Sequence, residues 1–273
     1  MSWTLVPWVW RIHTPLHIGA GSAGNLQITR TWIPGRAVWG AVVNRIVHGT
    51  EKHPSRSHFD EWGGRIKSDY RWGPLWPARM ENGDLCMLES SEQDRWRLID
   101  SRASTSLRPD GNAEEGSLHE TEILLSQLRE GGGLYFVGWY ATRGQNWDAE
   151  HLPELQFGGD RSRIGGWAAQ EQYNSSWENT LKGAFQHVHL TSDEDSCCLE
   201  LDEGLLRFPV IYDEKSREQV EGSVSLDVGR LTLHESRHGA SVHVGSQLFQ
   251  PGSRLKKKSV FTWDWDGTLT IKG

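Results

Sequence analysis

A glycine-rich segment near residue 160 carries the residues best suited to hold a phosphate group. Residues 157–167 read Phe-Gly-Gly-Asp-Arg-Ser-Arg-Ile-Gly-Gly-Trp. Glycine lets the backbone adopt positive φ and approach a ligand closely, and the guanidinium groups of Arg161 and Arg163 can fork onto phosphate oxygens. The segment lacks the Gly-Lys-Ser/Thr ending of a Walker A loop, and no parallel βαβ unit surrounds it as in a dinucleotide site. It therefore predicts phosphate binding, and the alternative is a bulged loop with solvated arginines.

Two other phrases predict a second glycine loop close to the start of a helix. Residues 14–21 read Thr-Pro-Leu-His-Ile-Gly-Ala-Gly, and residues 33–41 read Ile-Pro-Gly-Arg-Ala-Val-Trp-Gly-Ala. A strand thus runs into a glycine loop, and a Pro-Gly turn begins a helix whose free N–H groups attract anions. Because Arg30 and Arg36 lie near that helix start in the sequence, this region also predicts phosphate binding.

Smaller groups of polar residues admit both a chemical and a structural interpretation. His13 and His17 could act as general base and acid, because residues i and i+4 share one face of a strand; a structural or phosphate-contacting role is the alternative. Asp264 and Asp266 could bind a metal ion, but a turn before the last strand explains them better. Residues 256–258 are three lysines, which form a solvated run or contact a nucleic-acid backbone.

The elements that must position these loops follow from apolar periodicity and from glycine and proline breaks. The pattern predicts helices at 34–47 and 148–156, irregular structure with short elements over 50–82, and a protruding loop or hairpin at 103–116. It predicts strands at 8–18, 96–101, 117–125, 133–142, 185–190, 197–202, 206–212, 223–234, 240–249 and 259–271. This order indicates an α+β fold with a ferredoxin-like core over residues 1–175 and a β-rich part over residues 176–273.

The composition of the 273-residue chain indicates which classes of function are compatible with it. Residues 1–80 contain ten Lys/Arg and four Asp/Glu, whereas residues 81–273 contain 19 and 32, so a basic part sits on an acidic body with net charge -7. Such asymmetry fits one phosphate-facing surface, although surface charge also varies along chains without function. The 15 tryptophans serve packing or base stacking. The sequence has three cysteines without metal-ligand spacing, no apolar run that could span a membrane and no secretory signal. These features predict a cytoplasmic protein.

The ordered phrases resemble the repeat-associated (RAMP) superfamily of CRISPR-associated proteins. Members share a strand ending in "TPLHIG-G", a helix start "IPG-S-KG-LR" and a later loop "GG-RSRG-G", which residues 14–19, 33–40 and 158–166 match in order. Residues 100–105 and 113–120 resemble the region that forms a thumb-like hairpin in many members. The chain departs from the pattern at Arg36, where serine is common, and at Trp39, where lysine or arginine is common.

The resemblance implies a ferredoxin-like (RRM-like) RAMP core with a thumb-like hairpin near 103–116. It also implies a guide (crRNA) binding subunit of a class 1 CRISPR effector complex. The short first loop and the long β-rich tail favour the Cas-five-type subunit, which caps the 5′ handle of the guide, as in type III-D-like or related complexes. The first alternative is the Cas-seven-type subunit, which repeats along the spacer and in type III complexes cuts target RNA with an aspartate of the first loop. Residues 20–31 contain no Asp or Glu, so that cleavage is not expected here.

The second alternative is a metal-independent endoribonuclease that processes the guide, and a carbohydrate- or protein-binding β protein is a third. The preferred interpretation is a non-catalytic subunit with no cofactor and no metal ion. Its expected partners are the crRNA 5′ handle, the repeating backbone subunit and other effector subunits, and indirectly the target RNA or DNA, with no membrane contact. The RNA-binding residues predicted from the loops and the resemblance are His17, Gly19, Gly21, Arg30, Arg36, Trp39, Arg45, Arg102, Thr105, Gly159, Arg161, Ser162, Arg163 and Gly165.

Overall fold

A computed structural model describes residues 2–89, 92–143, 152–185, 188–191, 196–232 and 240–272. The elements of the first part are β1 Trp3–Ile12, β2 Gly19–Ala23, β3 Leu26–Thr29, α1 Gly35–Thr50, α2 Arg56–Asp69, β4 Tyr70–Trp72, β5 Trp76–Glu81, β6 Asp84–Met87, α3 Glu92–Leu98, β7 Ile99–Ser104, β8 His119–Leu124, β9 Leu134–Arg143, β10 Glu154–Gln156, α4 Arg161–Ile164 and β11 Trp167–Gln170. The second part has a 3₁₀ turn at Ser175–Trp177, α5 Glu178–Ala184, β12 His189–Thr191, β13 Cys198–Leu201, β14 Gly204–Leu205, β15 Val210–Ile211, α6 Glu214–Gln219, β16 Val220–Glu221, β17 Val224–Thr232, β18 Ala240–Phe249, β19 Arg254–Leu255, β20 Ser259–Trp263 and β21 Leu269–Ile271.

The central sheet has the strand order of a ferredoxin-like fold. Its order is β10-β11-β1-β9-β5-β6, with β4 also paired to β9, and every pairing in it is antiparallel. In chain order, β1, β5, β9 and β11 are the first, second, third and fourth core strands. In the sheet they lie in the order fourth, first, third, second, and α1 connects the first to the second. The predicted α+β class with a ferredoxin-like core is confirmed.

Strand β9 shows why this sheet is apolar on both faces. Phe136 and Tyr140 pack with Val38 and other residues of α1, whereas Val137 and Trp139 pack with the β-rich second part of the chain. Because each face is covered, β9 reads as a nearly continuous apolar run rather than an alternating one. The second part therefore occupies most of the sheet face that lies opposite the helices.

A turn near the C-terminus closes against the start of α1. A Cβ atom at Gly35 would overlap the carbonyl oxygens of Trp72 and Asp266, so only glycine fits there. Within the turn, the Trp265 N–H donates to Asp264 Oδ1 at 2.7 Å and the Thr268 N–H donates to Asp266 Oδ1 at 3.0 Å. The two aspartates thus form the turn between β20 and β21, as the structural interpretation of the sequence expects.

A smaller sheet stands beside the core, with the order β2-β3-β8-β7. The hairpin β2–β3 pairs with β8 in parallel, and β7 pairs with β8 in antiparallel register from Ile99↔Leu124 to Ser104↔His119. The segment 105–118 joins β7 to β8 and is mostly exposed. It covers most of the region for which the sequence predicts a protruding loop.

The second part is rich in strands, as predicted. Seven strands form a sheet in the order β12-β13-β20-β21-β15-β18-β17, and β14-β19-β16 form a three-stranded sheet. Its core contains Leu199, Phe208, Phe261 and Trp263, each at most 1% exposed. No helix among the described residues is both long and apolar enough to cross a membrane.

Several predicted elements are wrong in detail. The segment predicted as irregular, 50–82, contains α2 and the strands β4 and β5. Helix α2 begins at a capping box, in which the Ser55 side chain accepts from the His58 backbone N–H and the His58 side chain accepts from the Ser55 backbone N–H. The residue at the position of His58 is usually Glu or Gln. The strand predicted at 96–101 is the end of α3 followed by β7, and the glycine loop predicted after the first strand contains β2. The helix predicted at 148–156 lies partly outside the described residues and ends in β10.

Candidate nucleic-acid interface

The two glycine loops predicted from the sequence meet in space. Segment 14–18 follows β1 and lies between β8 and the later loop, with Leu16 bridging to Leu124 and His17 bridging to Gly159. The Gly159 N–H donates to the His17 carbonyl oxygen at 3.0 Å, and the Gly166 N–H donates to the Pro15 carbonyl oxygen at 2.9 Å. The core of the fold therefore holds both loops as one surface.

Three glycines of the later loop are required by contacts within the protein. Gly158, Gly165 and Gly166 have φ of 82°, 105° and 77°, values that favour glycine. A Cβ atom on them would overlap His17, Thr14 and Phe157, respectively. Gly159 is different, because a Cβ atom there meets open space and the residue is exposed. Of the glycines predicted to bind phosphate in this loop, Gly159 is the one open to a ligand, and Gly165 packs the loop.

The arginines of the loop differ in the same way. Arg161 is partly buried, its Nε donates to the Gly158 carbonyl oxygen at 3.0 Å, and burial lowers its pKa. Ser162 and Arg163 are exposed. Arg102 on β7 donates from Nη1 to the Arg163 carbonyl oxygen at 3.1 Å. Arg102, Arg161 and Arg163 therefore converge on one cationic surface, at which Arg161 also shapes the backbone.

Glu122 on β8 contacts the first loop through its carbonyl oxygen, and it contacts β3 and α3 through its carboxylate. His17 Nδ1 lies 2.8 Å from the Glu122 carbonyl oxygen. The Glu122 carboxylate accepts from the Thr29 N–H at 2.9 Å and from Arg95 Nη2 at 3.1 Å. The Glu122 side chain therefore connects β8 to β3 and α3. Because β1 ends at Ile12, His13 and His17 do not share a strand face, and the basis for treating them as an acid–base pair is wrong.

The hairpin β2–β3 extends the surface. Gly19 and Gly21 are exposed in β2, and Arg30 Nε donates to the Gly19 carbonyl oxygen at 3.3 Å. The Arg30 guanidinium also lies over the Trp32 ring, 5.2 Å from its centroid. Arg30 and Arg36 line one narrow cleft between the two parts of the chain. Arg30 thus contacts the first loop, and it shares a cleft with Arg36 at the start of α1.

Two predicted residues on α1 lie away from the loops. Trp39 Nε1 donates to the Gly63 carbonyl oxygen at 3.3 Å, and its ring lies edge-on to Trp265 with centroids 5.0 Å apart. Trp39 thus packs α1 against α2 and the C-terminal turn. Arg45 is exposed but lies nine residues after Arg36, or about 13 Å along the helix. Neither residue joins the surface formed by the glycine loops.

Thr105 stands at the base of the protruding segment. Its hydroxyl lies 2.6 Å from that of Ser117, and the Ser106 N–H donates to Ser117 Oγ at 3.0 Å. These bonds close the neck of segment 105–118. Thr105 therefore shapes the loop, and Arg102 connects the same ribbon to the later glycine loop.

Sequence reasoning missed residues that join the loops without being glycine or arginine. Thr14 Oγ1 accepts from the Trp167 N–H at 2.8 Å, and Gln156 Nε2 donates to the Gly165 carbonyl oxygen at 2.6 Å. Thr14 belongs to residues 14–21, the sequence that predicts the first loop. Nothing else in the sequence indicates that Thr14 contacts the later loop. Within the part of the chain that the structure describes, no three His, Cys, Asp or Glu side chains group as metal ligands would.

Comparisons with known proteins bear on the fold. No family model matches the chain, and a search of curated proteins finds no match. Among solved structures, it is similar to a chain of the type III-B Cmr-beta complex bound to cognate target RNA and AMPPnP, with a TM-score of 0.54 and 11% identity over 93% of this chain and 86% of that one. A chain of Cmr-beta bound to cognate target RNA matches with a TM-score of 0.50, 10% identity and the same coverage. At these identities the likeness shows a shared fold.

Proposed function

We propose that this protein is a guide-RNA-binding subunit of a CRISPR effector ribonucleoprotein that caps the 5′ handle and does not cut RNA. The observation that carries the proposal is the joining of two glycine loops with Arg102, Arg161 and Arg163 on one surface. The shared fold with chains of an RNA-bound type III-B complex supports it. The motif resemblance to RAMP proteins supports the same assignment.

The chemistry of this surface suits a nucleic-acid backbone. Exposed guanidinium groups bind phosphate oxygens, and an open glycine such as Gly159 lets a phosphate approach the main chain. Contacts of this kind position a strand and carry no base information, so binding should depend on salt. The exposed segment 105–118, connected to the loop through Arg102, offers an element that interrupts the bound strand where the handle ends.

The test is binding of labelled guide RNA, with and without its 5′ handle, over a salt series. Arg163→Ala is the sharpest variant, because Arg163 is exposed whereas Arg161 supports its own loop. Loss of one charged hydrogen bond should weaken binding roughly tenfold or more and lower the salt slope by about 0.7 for a single strand. Arg254→Ala is the matched control, since Arg254 is also exposed but lies on β19.

The outcomes separate the alternatives. Handle-dependent binding of intact RNA that Arg163→Ala weakens supports the capping role. Binding without handle preference would assign the repeating backbone role instead, and cleaved RNA would assign guide processing. Absence of RNA binding, even together with partner subunits, would refute the proposal.

A further inference from the structure

Two of the tryptophans that the structure describes are strongly exposed. Trp96 is 54% and Trp167 is 42% exposed. The Trp96 ring already has a partner, because the Arg97 guanidinium lies 5.7 Å from its centroid. Trp167 directly follows the later glycine loop and is the first residue of β11. An exposed indole at this position needs an explanation, since the described tryptophans other than Trp96 and Trp167 are buried or partly buried.

The strand alternation fixes the face on which Trp167 lies. Ala168 is buried in the core shared with the helices, so Trp167 lies on the opposite sheet face. In β1, Val9 belongs to that opposite face and packs on the second part of the chain. Arg11 continues the same face but is exposed, and His13, which follows the end of β1, is exposed as well. The second part of the chain therefore covers this sheet face at Val9 but leaves it uncovered at the corner formed by Arg11, His13 and Trp167.

At the uncovered corner an aromatic surface adjoins a guanidinium and an imidazole group. The His13 N–H donates to the Trp167 carbonyl oxygen at 2.9 Å, which makes the two residues neighbours across the strands. Arg11 and His13 also line a cleft of about 300 Å³ with Gln127 and Gly132. The corner thus combines an open indole face, a guanidinium and an imidazole next to the later glycine loop.

We propose that Trp167 is a stacking platform for one unpaired base of the bound RNA, with Arg11 and His13 contacting the adjoining backbone. The proposal rests on the proposed RNA-binding function and adds the contact that would sense a splayed base. Single-stranded RNA is recognised in this way, by aromatic stacking of exposed bases beside backbone contacts. The positive charge of Arg11 and the polar imidazole of His13 favour RNA over an apolar protein surface as the occupant.

The test combines protein variants with RNAs that each lack one base. Stacking on an aromatic ring is worth about 1–3 kcal/mol per base, so Trp167→Ala should weaken binding roughly 5- to 150-fold. Trp167→Phe should restore most of the affinity because it keeps a π-face. Trp96→Ala is the control and should bind as the wild type does. With RNA carrying an abasic nucleotide at one particular position, Trp167→Ala should cause no further loss.

The results that would overturn the inference differ from those that would overturn the function. Unchanged RNA affinity of Trp167→Ala, while Arg163→Ala still weakens binding, refutes the stacking platform and leaves the function standing. An equal loss with every abasic RNA also refutes it, as does a loss confined to association with a protein subunit. Absence of RNA binding by the wild type refutes both. Circular dichroism and thermal melting of each variant show that it is folded.

Discussion

Substitution by alanine should destabilise the protein at Gly158 of the later loop but not at the neighbouring Gly159. Gly158 has φ of 82°, and a methyl group there would overlap the His17 carbonyl oxygen. An L-residue in this conformation costs about 1–2 kcal/mol. Displacing the loop also breaks the Gly159–His17 hydrogen bond, worth about 0.5–1.5 kcal/mol. The two costs add to about 1.5–3.5 kcal/mol, so we expect Gly158→Ala to lower the free energy of unfolding by about 2–3 kcal/mol, the middle of that range.

Thermal melting and RNA binding measure the two consequences. Since 1 kcal/mol shifts the Tm of a domain of this size by about 2–4 °C, Gly158→Ala should melt roughly 4–12 °C lower. Its RNA affinity should fall as well, because Arg163 moves with the loop. Gly159→Ala is the control: its Cβ meets open space, so its Tm should stay within about 2 °C of the wild type. If a phosphate approaches Gly159, only RNA binding falls. Equal Tm values for the two variants would refute this account of the loop.

Two further predictions concern stability. Lys67→Ala removes an ammonium group that lies 4.7 Å from the Trp39 ring centroid and 3.9 Å from that of Trp265, so urea denaturation should show a loss of about 1 kcal/mol. Burial raises the pKa of Cys197 to about 12; because the folded state favours the neutral thiol, its stabilising contribution is present below about pH 9 and is lost as the pH rises from 9 to 12. Cys197→Ala should therefore flatten the decline of stability over that pH window, and an unchanged profile would contradict the prediction.

The fold class was predictable because long apolar elements decide it. The strand over 133–142 and the helix over 34–47 correspond to β9 and α1, where burial and periodicity are strongest. Helix α2 was not predictable, since Gly63 and Gly64 stand in its middle and weaken helix propensity. The structure explains Gly63 by a contact distant in sequence, because a Cβ atom there would press on the Trp39 ring at 2.9 Å. Tertiary packing overrides the local preference at that point.

The candidate site was predictable where a residue type carries the chemistry itself. Arg163 and Gly159 are exposed as expected, because charge and lack of a side chain are visible in the sequence. The roles of Gly165 and Trp39 were not visible, since each is fixed by a partner from another segment, Thr14 and Gly63. A glycine that admits a ligand and a glycine that admits a neighbouring side chain look identical until the neighbour is known.

The position of the second part of the chain constrains where RNA can bind. In an RRM-like fold the sheet face opposite the helices offers aromatic residues to bases. Here Val9, Val137 and Trp139 on that face are buried against the second part, so its centre is closed to a ligand. On the ferredoxin-like core, the open corner near Trp167 and the adjoining glycine loops remain accessible to a ligand. We therefore expect a bound strand to follow this edge of the sheet, where the backbone contacts come from the loops and the base contact comes from the exposed indole of Trp167.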